Sequence, residues 1–310
     1  MKRVVTSGDL TQHAMRPADL WQTYLERVQT DITRLELLKG AQERDCPACG
    51  GTGTPAFARF EFAYRRCGTC GSLFVSPVPG MERLATYHAE GAAERFRRDE
   101  LLPRIADVRA RYAVAPRARW VLAEVAARLG RGTTMAQFGP EFAPLLDLLR
   151  ASATVVPWPD DSTQVDGVIA FDLLERSPEL SLALDRCRRA LRARGLLFVA
   201  TTSGDGFEVR MLGARATALV PPLHLQLLSR AGWVAALARE KFRVVEYSTP
   251  GELDVQAVAE ACRRDPDIQL PPILDQLVHH EDEQVGRAFQ ELLQQACLSA
   301  YVQLVAEAGA

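Results

Sequence analysis

The chain has 310 residues, of which 47% are hydrophobic and 25% charged, and its formal net charge is −2. This composition is that of an ordinary globular protein with about two domains. The balanced charge argues against a surface for nucleic acid or for an anionic membrane. No apolar run approaches the ~18 residues that span a bilayer, and the N-terminal stretch lacks the hydrophobic segment of a signal peptide.

The N-terminal third is predicted to be helical on both sides of a small cysteine-rich module. Apolar residues recur at helical spacing over 9–40 and again over 81–131, where Pro103 and Pro116 are the expected interruptions. Acidic neighbours of the basic run Arg95–Arg98 indicate a solvated helix face. The predicted organisation is a helical segment (1–43), a zinc ribbon (44–80), a helical linker or lid (81–131) and an α/β domain (132–310).

From residue 133 onwards, predicted strands and helices alternate. The strands fall at 133–138, 153–158, 167–173, 195–201, 242–247 and 298–306. The helices fall at 142–150, 179–193, 228–240, 252–263 and 274–296. Short apolar strands separated by helices predict an α/β fold with a mostly parallel sheet covered on both faces. Only about ten residues separate the second and third strands, too few for a further strand and helix, so we predict six strands with 153–158 at an edge.

Four of the seven cysteines form two CxxC pairs, Cys46–Cys49 and Cys67–Cys70, with 17 residues between them. Each pair directs two sulfurs at one point, and the glycine after each second cysteine permits the tight turn. Together they supply four thiolates for tetrahedral zinc, which is predicted to be structural because no ligand position stays open. A redox pair is the alternative. The other thiols, Cys187, Cys262 and Cys297, are typical of free buried cysteines in a reducing cytosol, so we expect a cytoplasmic protein.

The cysteine module, followed by CGSLFVSPVPG and Tyr87, resembles the zinc-ribbon front end of a family of class I S-adenosylmethionine-dependent methyltransferases. That family methylates sugars and other biosynthetic small molecules. The resemblance continues in order through five segments: DGVIAFDLLE (166–175), LRARGLLFVATT (191–202), PPLHLQLLSRAGW (221–233), STPGELDVQAV (248–258) and FQELLQQACLSAYVQLVAEA (289–308). It covers nearly the whole chain. It implies a Rossmann-like methyltransferase fold whose final strand runs antiparallel beside the strand containing Val244 and Val245.

The resemblance also implies a cofactor-binding loop within TTMAQFGPEFAPLL (133–146), where the family has three alternating glycines. Gly139 matches the first glycine, whereas Glu141 and Ala143 stand in the places of the other two. Glu141 would set a carboxylate beside the carboxylate of the cofactor. The two neighbouring prolines remove backbone donors from the same loop.

In the family, an acidic residue at the end of the second strand binds the cofactor's ribose, and here Pro157 and Trp158 stand in its place. Asp160 or Asp161 could substitute for it, and Asp172 follows the next predicted strand. The strand that forms the adenine wall has no room in this chain. The vacated space is expected to be filled by bulky side chains of the same loops, namely Glu141, Phe142 and Trp158.

His224 is the candidate catalytic residue, because it matches the histidine of the family's motif after the fifth strand. Leu223 replaces the acidic residue that precedes it in the family, and Pro221 replaces a tyrosine. The Glu-His pair after the family's fourth strand is here Glu175-Arg176. By itself His224 is equally typical of a packing or capping residue. The histidine pair at 279–280 is predicted to be solvated helix surface.

Three functions follow from these observations. The first is a degenerate methyltransferase of a small-molecule biosynthetic pathway, which acts as the partner of an active methyltransferase or another biosynthetic chain, or has a repurposed small-molecule cleft. The second is an active methyltransferase that holds its cofactor through Asp160, Asp161 or Asp172. The third is a zinc-ribbon interaction module on an α/β platform. We favour the first, a pseudoenzyme with Zn²⁺ as its cofactor, because three features of one S-adenosylmethionine site are altered together; the oligomeric state stays open.

Overall fold

The computed structural model describes residues 9–140, 142–160 and 163–309. Within these residues the α-helices are α1 (Gln12–Met15), α2 (Ala18–Arg34), α3 (Met81–Glu90), α4 (Ala92–Phe96), α5 (Leu102–Arg104), α6 (Ala106–Arg109), α7 (Ala115–Arg128), α8 (Ala143–Leu149), α9 (Leu180–Ala190), α10 (Phe207–Leu212), α11 (Arg230–Arg239), α12 (Asp254–Arg264), α13 (Pro272–Val278) and α14 (Glu283–Gln295). Two π-helical turns, Arg97–Leu101 and Ala110–Val114, and two 3₁₀ turns, Leu174–Arg176 and Gly213–Arg215, complete the helical segments.

The strands form two sheets. They are β1 (Gly53–Arg59), β2 (Phe62–Cys67), β3 (Leu73–Val75), β4 (Thr134–Gln137), β5 (Thr154–Val155), β6 (Val165–Phe171), β7 (Leu191–Thr202), β8 (Gln226–Leu227), β9 (Phe242–Ser248) and β10 (Tyr301–Ala308). The larger sheet has the order β5-β4-β6-β7-β10-β9, and the smaller has the order β1-β2-β3-β8.

The larger sheet confirms the predicted six strands. Strands β5, β4, β6 and β7 are parallel, whereas β10 runs antiparallel to both β7 and β9. Strand β5 lies at one edge of this sheet among the described residues, as the short segment after it predicts, and β9 lies at the other edge. The antiparallel β10 beside β9 is the arrangement that the resemblance implies, and the chain has a Rossmann-like α/β fold.

Alternate residues of the central strands explain why helices cover both faces of this sheet. Ile169 of β6 and Phe198 of β7 pack with α7 and α8 on one face. Val168 and Ala170 of β6 pack with α9 and α11 on the other. Because successive strand residues point to opposite faces, a strand buried on both sides must be apolar throughout, which is what the sequence of β6 shows.

The structure differs from the predicted elements where short local signals decide. The predicted helix 274–296 is two helices, because the side chain of Asp282 accepts a hydrogen bond from the backbone N–H of Gln284 and caps a new helix start. The histidines at 279–280 therefore lie in a break between helices rather than on one. Strand β8 and helix α10 were not predicted. No helix of the described residues is long and apolar enough to cross a membrane.

Candidate functional site

The four cysteines of the two CxxC pairs meet at one point. Their sulfur atoms all lie within 4.8 Å of one another. The Sγ atoms of Cys46 and Cys70 are 3.6 Å apart, and those of Cys49 and Cys67 are 3.4 Å apart. Tetrahedral zinc with bonds of about 2.3 Å requires sulfurs about 3.8 Å apart, so the cluster has the size and the ligand type for this metal.

The two halves of the cysteine cluster have the same local geometry. In each, the glycine after the second cysteine has a left-handed backbone, with φ of +73° at Gly50 and +77° at Gly71. The N–H of each glycine donates back to the carbonyl of the first cysteine of its pair, at 2.8 Å and 3.0 Å. The glycine role inferred from the sequence is confirmed, because a side chain is strained at such φ values.

The cysteine module is tied to the larger domain by backbone and side-chain contacts. Strand β8, which belongs to the C-terminal part of the chain, pairs with β3 as the fourth strand of the small sheet. The Oγ of Ser72 accepts a hydrogen bond from the N–H of Ser229 at 3.0 Å, just before α11. A Cβ on Gly232 would lie 2.1 Å from the same oxygen, so only glycine allows α11 to approach this closely.

In the larger sheet, the loop after β4 touches the loop after β6, at the carboxyl ends of these two strands. Gly139 has φ of +83°, and a Cβ placed on it would lie 2.7 Å from Cδ1 of Leu173. The side chain of Leu173 therefore stands directly on Gly139. These two loops are at the carboxyl ends of neighbouring parallel strands, which is where open α/β sheets bind their ligands.

Asp172, the acidic candidate on this edge, is already paired within the protein. Arg117 of α7 donates two hydrogen bonds to its carboxylate, at 2.6 Å and 3.3 Å. Burial raises the pKa of Asp172, but Arg117 and then Arg176 and Arg109 lower it below its ordinary value. Asp172 is thus a charged carboxylate held by an arginine, and its φ of +54° fixes it in a left-handed turn.

The other predicted cofactor residues do not join Gly139 and Asp172. Asp160 lines an exposed cleft with Thr134, Val165 and Arg192, which lie at the amino-terminal ends of β4, β6 and β7, the opposite edge of the sheet. Glu141 and Asp161 lie outside the described residues.

Two of the bulky residues pack where the sequence placed them. Trp158 lies beyond the end of β5, with its ring edge-on to Phe138 at a centroid distance of 5.2 Å. Phe142 packs into the core on the α7 and α8 face, and the guanidinium of Arg109 lies 5.4 Å from its ring centroid. Aromatic side chains therefore occupy the ends of the first two strands of the larger sheet.

The imidazole of His224 is engaged by its own loop. Its Nδ1 lies 3.2 Å from the N–H of Val220, and its Nε2 lies 3.4 Å from Oγ1 of Thr202. Burial lowers the pKa of His224 to about 4, so the ring is neutral at physiological pH. Nδ1 also lies 3.1 Å from the carbonyl oxygen of Val220, so the neutral ring is held to Val220 in either tautomer and, with Thr202 at Nε2, fixes the 220–224 turn.

Sequence reasoning missed a group of charged residues on this edge. Glu94 is buried, which raises its pKa, but His88, 3.8 Å away, and the charge of Arg97, 3.2 Å away, outweigh burial and lower its pKa to about 2. The predicted solvated face is therefore wrong for Arg97 and right for its exposed neighbours Arg95 and Arg98. One residue of the sequence could have indicated this charged group, namely Arg176, which stands where the resembled family has a histidine.

The chain matches no protein-family model and no curated protein. Among solved structures it is similar to a magnesium protoporphyrin IX methyltransferase of Synechocystis with bound SAH, at 11% identity over 74% of this chain and 100% of the other, with a TM-score of 0.43. It is also similar to the CurJ carbon methyltransferase, at 13% identity over 73% and 66%, with a TM-score of 0.41. A geranyl diphosphate methyltransferase in complex with SAM follows, at 12% identity over 67% and 90%, with a TM-score of 0.39. At such identities the likeness concerns the fold alone.

Proposed function

We propose that this chain is a methyltransferase-fold protein that has lost methyl transfer and uses the same edge of its sheet for another small molecule. The observation that carries the proposal is the contact between Leu173 and Gly139. In the methyltransferases that the sequence resembles, the cofactor lies between the loops to which these residues belong. In this chain the two loops touch, so the cofactor's place is taken by a leucine side chain.

Two further contacts support the loss of cofactor binding. The Asp172 carboxylate accepts two hydrogen bonds from Arg117, so binding through this residue would have to disrupt a charge-assisted pair. Trp158 stands against Phe138 where the ribose anchor is expected. An unmade hydrogen bond of a buried group costs about 1–3 kcal/mol, so a ribose without its acidic partner binds weakly.

The cysteine cluster supports a retained structural role for zinc. Its four thiols fill a tetrahedral ligand set, so a bound zinc would have no position left for substrate, and its chemistry would be to stabilise the fold. Because β8 pairs with β3, we propose that the zinc also holds the loop that leads from His224 into β8.

Thermal unfolding with and without S-adenosylmethionine tests the proposal. A ligand at a hundred times its Kd stabilises a protein by about 2.7 kcal/mol, or about 5 °C in a chain of this size. We expect no shift in melting temperature at millimolar cofactor. A reproducible rise would contradict the proposal and favour the active methyltransferase that binds its cofactor in an atypical way.

Leu173→Ala provides a sharper version of the same test. The substitution opens the contact with Gly139, yet we expect no cofactor binding, because Trp158 still stands in the place of the ribose anchor. Leu182→Ala, at an exposed leucine of α9, is the matched control for loss of a leucine side chain. If Leu173→Ala alone acquired a cofactor-dependent shift, the loss of binding would rest on this one side chain.

A further inference from the structure

Four arginines converge at the carboxyl edge of the larger sheet, beneath the N-terminal helices. Arg97 lies in the π-helical turn after α4, Arg109 ends α6, Arg117 lies in α7, and Arg176 ends the 3₁₀ turn after β6. Three of them act on Asp172, whose pKa burial raises and whose pKa Arg117, Arg176 and Arg109 lower. The fourth is Arg97. Burial lowers the pKa of Arg109, and the nearby positive charge of Arg97 lowers it further. We call these four residues the arginine cluster.

The arginine cluster has more positive charge than its carboxylates balance. Arg97 pairs with Glu94 at 3.2 Å, and Arg117 pairs with Asp172 at 2.6 Å. Across the residues that the structure describes, Arg109 and Arg176 have no carboxylate within ion-pair distance. Two guanidinium groups therefore face the same region without an anionic partner. A partly buried charge in this situation is unfavourable unless a counter-ion supplies the missing interaction.

Buried hydrogen-bond donors surround the same region without acceptors. Within the described part of the chain, the hydroxyl groups of Tyr24 and Tyr87 and the Nε of Arg176 have no hydrogen-bond partner. Tyr24 is 1% exposed and Tyr87 is fully buried. Burial and Glu94 raise the pKa of Tyr24, whereas Arg97 and Arg176 lower it, which places its hydroxyl beside the arginine cluster. Each such donor is unfavourable when it is buried and nothing accepts its hydrogen bond.

Arg117 extends the set of donors toward the sheet. Its own Nε and the hydroxyl of Tyr301 also have no partner among the described residues, and the guanidinium lies 4.9 Å from the ring centroid of Tyr301. The donors thus come from α2, α3, α7, β10 and the turn after β6. Elements this distant in the chain bring hydrogen-bond donors and cations to one place. The acids beside them are Glu94, Asp172 and Glu175, and burial raises the pKa of Glu175 to about 7, so the cations outnumber the ionised carboxylates, which is the chemistry of an anion site.

We propose that the arginine cluster binds an oxyanion, the carboxylate or phosphate group of a small metabolite, with Arg109 and Arg176 as its charged partners and Tyr24 as a neutral donor. The inference rests on the proposed function, because an anion here uses the edge that S-adenosylmethionine would otherwise need. The resembled family has a histidine at the position of Arg176. In this chain the position has an arginine, which is charged at all physiological pH values.

Calorimetric titration of the full chain tests this proposal. Inorganic phosphate and succinate are titrated at constant ionic strength, with chloride as the reference anion. We expect saturable binding of at least one oxyanion and none of chloride, and the tighter of the two identifies the acidic group. Arg176→Gln should weaken binding about 10-fold or more, since it removes a charged hydrogen-bond donor to the oxyanion.

The matched control is Arg119→Gln, which removes the same charge from the exposed face of α7, two residues from Arg117. Its oxyanion affinity should stay within about twofold of the wild type. Arg109→Gln serves as a second variant, so that a fold defect in Arg176→Gln does not decide the result. Equal weakening in Arg119→Gln, or no saturable binding of either oxyanion, would overturn the proposal and leave water as the partner of these donors.

The outcomes also separate this proposal from the proposed function. If neither oxyanion binds and S-adenosylmethionine gives no thermal shift, the oxyanion site fails alone. If S-adenosylmethionine gives a thermal shift, and oxyanions bind and are weakened by Arg176→Gln, the proposed loss of cofactor binding is contradicted and the oxyanion site is supported.

Discussion

Glu175 shows how much a single residue on this edge depends on its surroundings. It is 4% exposed, and burial together with the charge of Asp172 raises its pKa to about 7 from the ordinary value of 4.5. Its Oε2 has no hydrogen-bond partner within the described residues. Next to the arginine cluster, Glu175 is therefore close to half-protonated at neutral pH, and its ionisation would compete with a bound anion.

The sign of the resulting pH dependence follows from the raised pKa. The folded protein holds the Glu175 proton more tightly than the unfolded chain, so this contribution to stability is full below pH 4.5 and is lost as pH rises through about 7. In Glu175→Gln the contribution is absent. We expect the unfolding free energy of the wild type, relative to this variant, to fall by about 2–3 kcal/mol between pH 5 and 8.

Urea unfolding of both proteins at several pH values measures this difference, and the other titrating groups cancel because both proteins contain them. Glu281→Gln, at an exposed glutamate between α13 and α14, is the control and should differ from the wild type by a constant within about 0.5 kcal/mol. A constant difference for Glu175→Gln as well would show that Glu175 ionises with an ordinary pKa.

At the scale of elements, Arg44 joins three separate segments of backbone. Its guanidinium donates to the carbonyls of Val75 at 2.9 Å, Pro178 at 2.8 Å and Leu225 at 3.0 Å. These carbonyls belong to β3, to the loop before α9 and to the residue before β8. Arg44→Met keeps the length of the side chain but removes one donor from each of these carbonyls, of which that of Leu225 also accepts from the N–H of Val75. We expect the unfolding free energy to fall by about 2–4 kcal/mol in urea denaturation.

Arg119→Gln is again the control, because it removes an exposed arginine that makes no such contacts. It should change the unfolding free energy by no more than about 0.5 kcal/mol. A similarly small effect of Arg44→Met would mean that strand pairing alone holds β8 against the cysteine module.

The elements also show which features a sequence can predict and which it cannot. Strands β6 and β7 were predictable because strands buried on both faces are apolar throughout. The cysteine cluster was predictable because its ligand spacing is local. Strand β8 has only two residues, and its partner β3 lies about 150 positions earlier, so no local pattern marks it. The arginine cluster was missed for the same reason, since Arg97 and Arg176 come together only through the fold.

At the scale of the whole molecule, the cysteine module and the α/β domain share secondary structure. The small sheet contains β8, and Ser229, two residues after the end of β8, stands immediately before α11. The Oγ of Ser229 caps α11 by accepting from Gly232 at 2.8 Å, and it also donates to the carbonyl of Cys70. A loss of the metal would therefore reach the start of α11 through one side chain, and not only the segment 44–80.

Removal of the zinc tests this coupling. Zinc that binds only the folded state adds its binding free energy to the stability of the fold. We therefore expect a chelator, or Cys67→Ser, to lower the melting temperature of the whole chain in a single transition. The reason for one transition is that Trp233 of α11 packs in the same core as Cys46 and Cys67.

Cys262→Ser, at a cysteine outside the cluster, is the control and should keep one equivalent of zinc with little change in melting temperature. Two separate transitions after zinc removal, with the fluorescence of Trp233 unchanged in the first, would show instead that the α/β domain folds without its ribbon. Less than about half an equivalent of zinc in the fresh protein would contradict the metal site itself.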